Sequence, residues 1–133
     1  MMALDTNVLV RFLVKDDDKQ AQLVYQLFKQ SEEKQETLFV PLLVVLETIW
    51  VLQSVYDIAD TDIVLAINDL LLMPVLKFEA QSAIQGFIVS AREVKFDLAD
   101  LLIAHSAKAF NCQSVFTFDK KAASFKYFQL LGA

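Results

Sequence analysis

Short apolar, β-favouring runs recur along this chain, and helix-length stretches separate most of them. That alternation constrains the fold more than any other feature. The runs are Ala3-Leu4, Thr37-Leu38-Phe39-Val40, Val75-Leu76-Lys77-Phe78, Ser114-Val115-Phe116-Thr117-Phe118 and Tyr127-Phe128-Gln129-Leu130. Each is nearly continuous in apolar residues, the pattern of strands covered on both faces. Between them, Asp5-Thr6-Asn7 supplies cap residues for a helix over Val8–Val14. Asp18 caps a second helix to Ser31, with Ala21, Val24, Leu27 and Phe28 at helical spacing. Pro41 suits the first turn of a third helix that runs to about Tyr56. Asp60 or Thr61 caps a fourth, which ends at Leu72 before Pro74. Two more run from Glu79 to about Arg92 and from Asp97 to Phe110, with Asn111 suited to a left-handed turn at the end. Strand–helix–strand units of this length imply right-handed crossovers, hence an α/β fold: a parallel sheet with helices on both faces. Ligands of such sheets bind beyond the carboxyl ends of the strands.

Length and composition narrow the functions. At 133 residues the expectation is one domain spanning 1–133. Hydrophobic residues make up 56%, which excludes a disordered chain. With two glycines and two prolines, collagen-like sequence is excluded and glycine-rich phosphate loops are disfavoured. Glu47, Asp69 and Asp100 break the apolar runs short of a membrane span, so no membrane partner is expected. The start, Met1-Met2-Ala3-Leu4-Asp5, lacks the basic leader of a signal peptide. A single cysteine, Cys112, leaves no intrachain disulfide framework and suits a reducing, cytoplasmic location. The net charge of −5 argues against gripping nucleic acid by bulk positive charge. It leaves open an enzyme that holds phosphate through divalent metal in an acidic pocket, because bound cations reverse the local sign.

Four acids stand out against the scaffold. Asp5 ends the first strand, where it is either a helix cap or a site residue. Glu47 sits in Leu42-Leu43-Val44-Val45-Leu46-Glu47-Thr48-Ile49-Trp50-Val51-Leu52, a helix apolar nearly all round and therefore expected to be buried. A charged carboxylate there needs a metal or a partner such as Arg11 or Arg92. In Phe96-Asp97-Leu98-Ala99-Asp100, Asp97 reads as a cap, while Asp100 points out of a helix that is otherwise core. Asp119 follows the fourth strand, an ordinary turn position by itself. Together, Asp5 and Asp119 at strand ends and Glu47 and Asp100 near helix starts are expected to converge at one sheet edge. Crowded carboxylates repel unless cations join them. Oxygen-only ligands suit Mg²⁺ or Mn²⁺, and the matching chemistry is phosphodiester hydrolysis.

These residues resemble PIN-domain ribonucleases. The resemblance rests on Asp5-Thr6-Asn7-Val8-Leu9, Pro41 through Glu47 to Trp50, Asp97-Leu98-Ala99-Asp100-Leu101-Leu102-Ile103-Ala104 and Thr117-Phe118-Asp119, in that order. It spans the whole chain and is strongest to the VapC-type toxins of type II toxin–antitoxin pairs. It implies a three-layer α/β/α sandwich around a five-stranded parallel sheet in order 3-2-1-4-5. It implies Mg²⁺- or Mn²⁺-dependent endonucleolytic cleavage of RNA, with Asp5, Glu47, Asp100 and Asp119 as catalytic metal ligands and Asp97 as an accessory. Thr6, Asn7 and Thr117 match polar positions beside the acids. A cognate antitoxin protein and a homodimer follow from the same resemblance. Leu101 stands where many relatives have alanine, a packing change beside the site.

The remaining candidates carry less. His105, the only histidine, is rotated away from Asp100 and lacks zinc partners, so a structural role is expected. Cys112 has no neighbouring base and reads as a small buried residue. Phe12, Phe28 and Phe87 are core or interface residues. Arg11 and Lys120 are candidates for RNA phosphates, with Lys15 and Lys121 as solvated helix ends. The alternatives to a toxin are an RNA-processing nuclease of the same fold without an antitoxin, and a catalytically silent binding module.

Overall fold

The computed structural model describes residues 1–132. They form two compact units, one from Met1 to Gln81 and one from Ser82 onward.

The first unit holds β1 (Met2–Ala3), α1 (Thr6–Val14), α2 (Asp18–Glu33), β2 (Leu38–Val40), α3 (Leu42–Ser54), α4 (Asp60–Leu71) and β3 (Leu76–Phe78). The strands make one parallel ladder in the order β1-β2-β3, with Met2 opposite Leu38 and Leu38 opposite Leu76. Parallel neighbours need long crossovers, and here each crossover is a helix pair. The buried side chains Leu9, Val10, Val24, Phe28, Leu38, Val40, Val45, Ile49, Leu52, Ile63, Ile67, Leu70 and Phe78 form the apolar interior.

Local chemistry sets where these helices begin and end. Asp5 caps α1, its Oδ1 accepting from the Thr6 N–H at 2.8 Å, and Lys15 closes that helix in the left-handed region. Asp17, not Asp18, caps α2, because its carboxyl reaches the Gln20 N–H at 3.0 Å. Pro41 precedes α3 as its cap rather than sitting in the first turn, and it has no side-chain acceptor to offer. Glu79, just after β3, supplies one: its Oε1 accepts from the Leu42 N–H at 2.9 Å. Ala59 takes the cap position of α4, since the Asp60 carboxyl accepts from Gln53 instead.

The second unit holds α5 (Gln81–Glu93), α6 (Leu98–Ala109), β4 (Val115–Thr117), a 3-10 turn (Ala122–Ser124) and β5 (Phe128–Leu130). The two strands pair in parallel, Val115 opposite Phe128 and Thr117 opposite Leu130. Their crossover is short for a parallel pair, which usually needs about a dozen residues. The 3-10 turn fills it, with Ala122 and Phe125 buried. Ile84, Phe87, Ile88, Leu98, Leu101 and Leu102 are fully buried, so Phe87, like Phe28, is a core residue. Phe12 packs against Phe28 in a tilted arrangement, with ring centres 4.9 Å apart. Asn111 adopts the expected left-handed conformation after α6.

The α/β class and all five strands agree with the sequence. Of the expected sheet order, the neighbours 3-2 and 2-1 are present in the first unit and 4-5 in the second, as ladders of three and two strands. Two-sided cover fails: β1 is exposed, and Phe116 on β4 is exposed although its neighbours are not. Cys112 is exposed rather than buried. Among the described residues no helix is long and apolar enough to cross a membrane.

Candidate active site

In the first unit the candidate residues sit where β1 passes into α1 and along one face of α3. Asp5 is exposed at the end of β1, and its capping bond fixes the carboxyl over the first turn of α1. Thr6 is buried, and its hydroxyl donates a hydrogen bond to Glu47 Oε1 on α3. Asn7 is exposed beside them.

Glu47 corrects an expectation. The helix that carries it is not buried all round. Val45, Thr48, Ile49 and Leu52 face the interior, while Leu43, Glu47, Trp50 and Ser54 form an exposed stripe at helical spacing. The carboxylate is thus in reach of water and does not require an ion pair. Arg11, the candidate in the same unit, does not provide one. The Arg11 guanidinium lies 3.3 Å from Asp16 and also donates to Gln20 and to the Tyr56 hydroxyl. The Tyr56 bond first, and the nearby charges of Asp16 and Asp17, strengthen its hold on its proton. Among the described residues Arg11–Asp16 is the one ion pair.

In the second unit Asp97 caps α6, its Oδ1 accepting from the Asp100 N–H at 2.9 Å. That settles Asp97 as a cap, the role favoured from sequence. Asp100 follows in the first turn, half-buried. Its carboxyl is held above the usual carboxylate range, by partial burial first and by the charges of Asp97 and Asp119 second. Asp119 is exposed after β4. Its N–H donates to Thr117 Oγ1 at 3.0 Å, and its Oδ1 accepts from the Lys121 N–H at 2.9 Å. Thr117 therefore shapes the turn that presents Asp119. Lys120 is exposed next to it.

His105 lies apart from this chemistry. It is buried, with Nε2 2.6 Å from Ser90 Oγ, and its ring lies over Gly86. Its structural reading is therefore the right one.

Among the described residues no three side chains of His, Cys, Asp or Glu are gathered around one possible ion position. The chemistry of the donors nevertheless fits a hard divalent cation: the candidate carboxylates offer only oxygen, and a cation at Asp100 would relieve the charges of Asp97 and Asp119 that add to its burial. Two features escaped the sequence reading. Glu79 as the cap of α3 has no local signal, because the contact spans β3. The exposed stripe through Glu47 and Trp50 did have one, the i, i+4, i+7 spacing from Leu43, which the apolar character of the surrounding residues hid.

The PIN domain family matches residues 2–126 of the chain. A VapC ribonuclease of Aquifex aeolicus (strain VF5) is 30% identical over 129 residues, covering 91% of this chain and 89% of that protein.

Proposed function

The chain belongs to the PIN domain family, and from that premise we propose that it is a metal-dependent endoribonuclease, the toxin of a type II toxin–antitoxin pair. The observation that carries the reading is the state of the acids. Asp5, Glu47, Asp100 and Asp119 are all at least partly exposed, and none has a cationic side chain as partner among the described residues. The match to the PIN domain family and the likeness to a VapC ribonuclease support the nuclease, and the exposure of the four carboxylates leaves them open to a cation.

In this reading Asp5 and Glu47 in the first unit, and Asp100 and Asp119 in the second, are the acids that would hold Mg²⁺ or Mn²⁺. The ion, when bound, lowers the pKa of an attacking water and neutralises charge on the phosphate. The chain's own residues orient the donors. Thr6 points one Glu47 oxygen by hydrogen bonding to it. Asp97 fixes the first turn of α6 and with it Asp100. Thr117 and the Lys121 N–H hold the turn at Asp119. Asn7 is an accessory polar group. Lys120 contacts an RNA phosphate; Arg11 joins it only by giving up its bonds to Asp16 and Tyr56. The same reading takes residues 1–133 as one domain with the family's sheet order 3-2-1-4-5, working in the cytoplasm as a homodimer silenced by an antitoxin protein.

The test is cleavage of total cellular RNA with Mg²⁺ or Mn²⁺ against the same reaction with chelator and with Asp5→Asn. Asparagine caps helices as well as aspartate, so this variant keeps α1 while removing a metal-ligating charge. Cleavage lost in both controls supports the reading. Chelator-resistant cleavage, or full activity of Asp5→Asn, overturns it.

A further inference from the structure

Trp50 is the sole tryptophan of the chain, and it is 60% exposed on a helix whose opposite face is fully buried. Tryptophan is usually largely buried, so an indole held in water on a well-anchored helix calls for a use. Ile49 and Leu52 fix α3 in the core, so the exposure is not looseness of the helix. Trp50 stands three residues from Glu47 on the same stripe, a spacing that puts side chains about 5–6 Å apart at Cβ. Leu43, 77% exposed, extends the stripe on the other side of Glu47.

An apolar protein surface is a poor occupant for this stripe, because it would strip water from the Glu47 carboxylate at its centre. An unpaired nucleobase is a good one. Its flat face stacks on the indole without touching the carboxylate, and stacking tolerates any base. The pairing of exposed aromatic with acid occurs again in the second unit, where Phe118, 79% exposed, directly precedes Asp119. We propose that Trp50 is a stacking platform for an unpaired nucleobase of the RNA substrate, placed beside Glu47. This rests on the nuclease reading and adds a positioning residue to it.

The single indole makes the test direct. A short nuclease-resistant 2′-O-methyl oligoadenylate is titrated into the chain with Ca²⁺ present, and binding is followed both by tryptophan fluorescence and by anisotropy of the labelled oligonucleotide. Saturable quenching is expected in step with the anisotropy, with little quenching by the same strand in a duplex. Trp50→Phe should retain binding. Trp50→Ala should weaken it about ten-fold or more, raising KM for RNA cleavage with kcat kept and the melting temperature unchanged. Bound oligonucleotide without quenching, or no binding at all, overturns the proposal. So does a fluorescence shift that grows with protein concentration before RNA is added, which assigns the stripe to a second copy of the chain. RNA cleavage without quenching removes Trp50 and leaves the nuclease; quenching without cleavage does the reverse.

Discussion

Glu47 in the first unit and Asp100 in the second are oriented by different physical means. Glu47 is exposed and takes a hydrogen bond from the buried Thr6 hydroxyl, so its position follows from the packing of α1 against α3. Asp100 is half-buried in the first turn of α6; that burial first, and the charges of Asp97 and Asp119 second, push its proton affinity up. A neutral hydroxyl orients without changing the local charge, whereas neighbouring carboxylates store repulsion that a cation relieves. The contrast teaches that acid position and acid electrostatics are separable, and that each unit of this chain emphasises one of them.

The largest expected effect tests whether both kinds of acid serve one reaction. Asp5→Asn and Asp100→Asn each remove one charge with little change in shape. Each should lower RNA cleavage by about 100-fold or more. Mn²⁺ should raise the melting temperature of the unaltered chain by binding the folded state, and the double variant should lose that rise. A metal effect that survives in the double variant, or full cleavage with either single variant, breaks the comparison by showing that the acid concerned is not needed for the chemistry.

Next in size is a packing test confined to the second unit. A Cβ placed on Gly86 falls 2.6 Å from His105 Nδ1, inside any real contact distance. The His105 ring cannot yield freely, because Ser90 holds its other nitrogen at 2.6 Å. Gly86→Ala should therefore destabilise by about 1–3 kcal/mol, the usual size of an overpacked core. Equilibrium denaturation measures it, and a change below about 0.5 kcal/mol shows that the histidine is free to move.

How much of this was legible beforehand depends on range in sequence. The strand runs, the Asp5 and Asp97 caps and the left-handed Asn111 are all written in neighbouring residues, and the sequence reading located them. Asp17 displaced Asp18 as a cap because which of two adjacent carboxyls reaches an N–H is settled by backbone direction, not by residue type. The exposure of Glu47 was missed because the mean hydropathy of α3 masked which of its faces was turned outward. The Thr6–Glu47 bond spans two helices, and family resemblance suggested the residue without the contact. The Arg11 network with Asp16, Gln20 and Tyr56 likewise joins three separate segments. No local pattern announces it.

The pH dependence of stability extends the contrast to the one buried imidazole. His105 is held below its ordinary pKa of 6.5, first by burial and then by the charges of Lys108 and Lys126. The unfolded chain therefore binds this proton at higher pH than the folded chain does. Stability from His105 is fully present above about pH 6.5 and is lost as pH falls through the lowered folded value. Asp100 acts with the opposite sign and in the carboxylate range: its raised pKa favours the folded state below the unfolded value and fades as pH rises. Denaturation between about pH 7 and pH 5 should show stability falling on acidification, and His105→Gln should flatten that slope. An equal slope in His105→Gln assigns the dependence to other groups.

The smallest effect is expected in the first unit, at the cap that no local signal revealed. α3 begins after Pro41, which has no side-chain acceptor, and its Leu42 N–H is satisfied by Glu79 from the end of β3. The carboxylate also faces the positive end of the α3 dipole, which favours it there. Because the bond is solvent-exposed, water replaces it when the side chain is removed. Glu79→Ala should thus cost only about 0.5–1 kcal/mol, and Glu79→Gln, which keeps an acceptor oxygen but loses the charge, should cost less. The two variants separate the hydrogen bond from the dipole. If Glu79→Gln costs as much as Glu79→Ala, charge dominates, and the loss should shrink in high salt. Cleavage should be retained in both, since α3 stays anchored through Ile49 and Leu52 and Thr6 still holds Glu47. A drop in cleavage with the fold intact would mean that the start of α3, and not Thr6 alone, sets where Glu47 points.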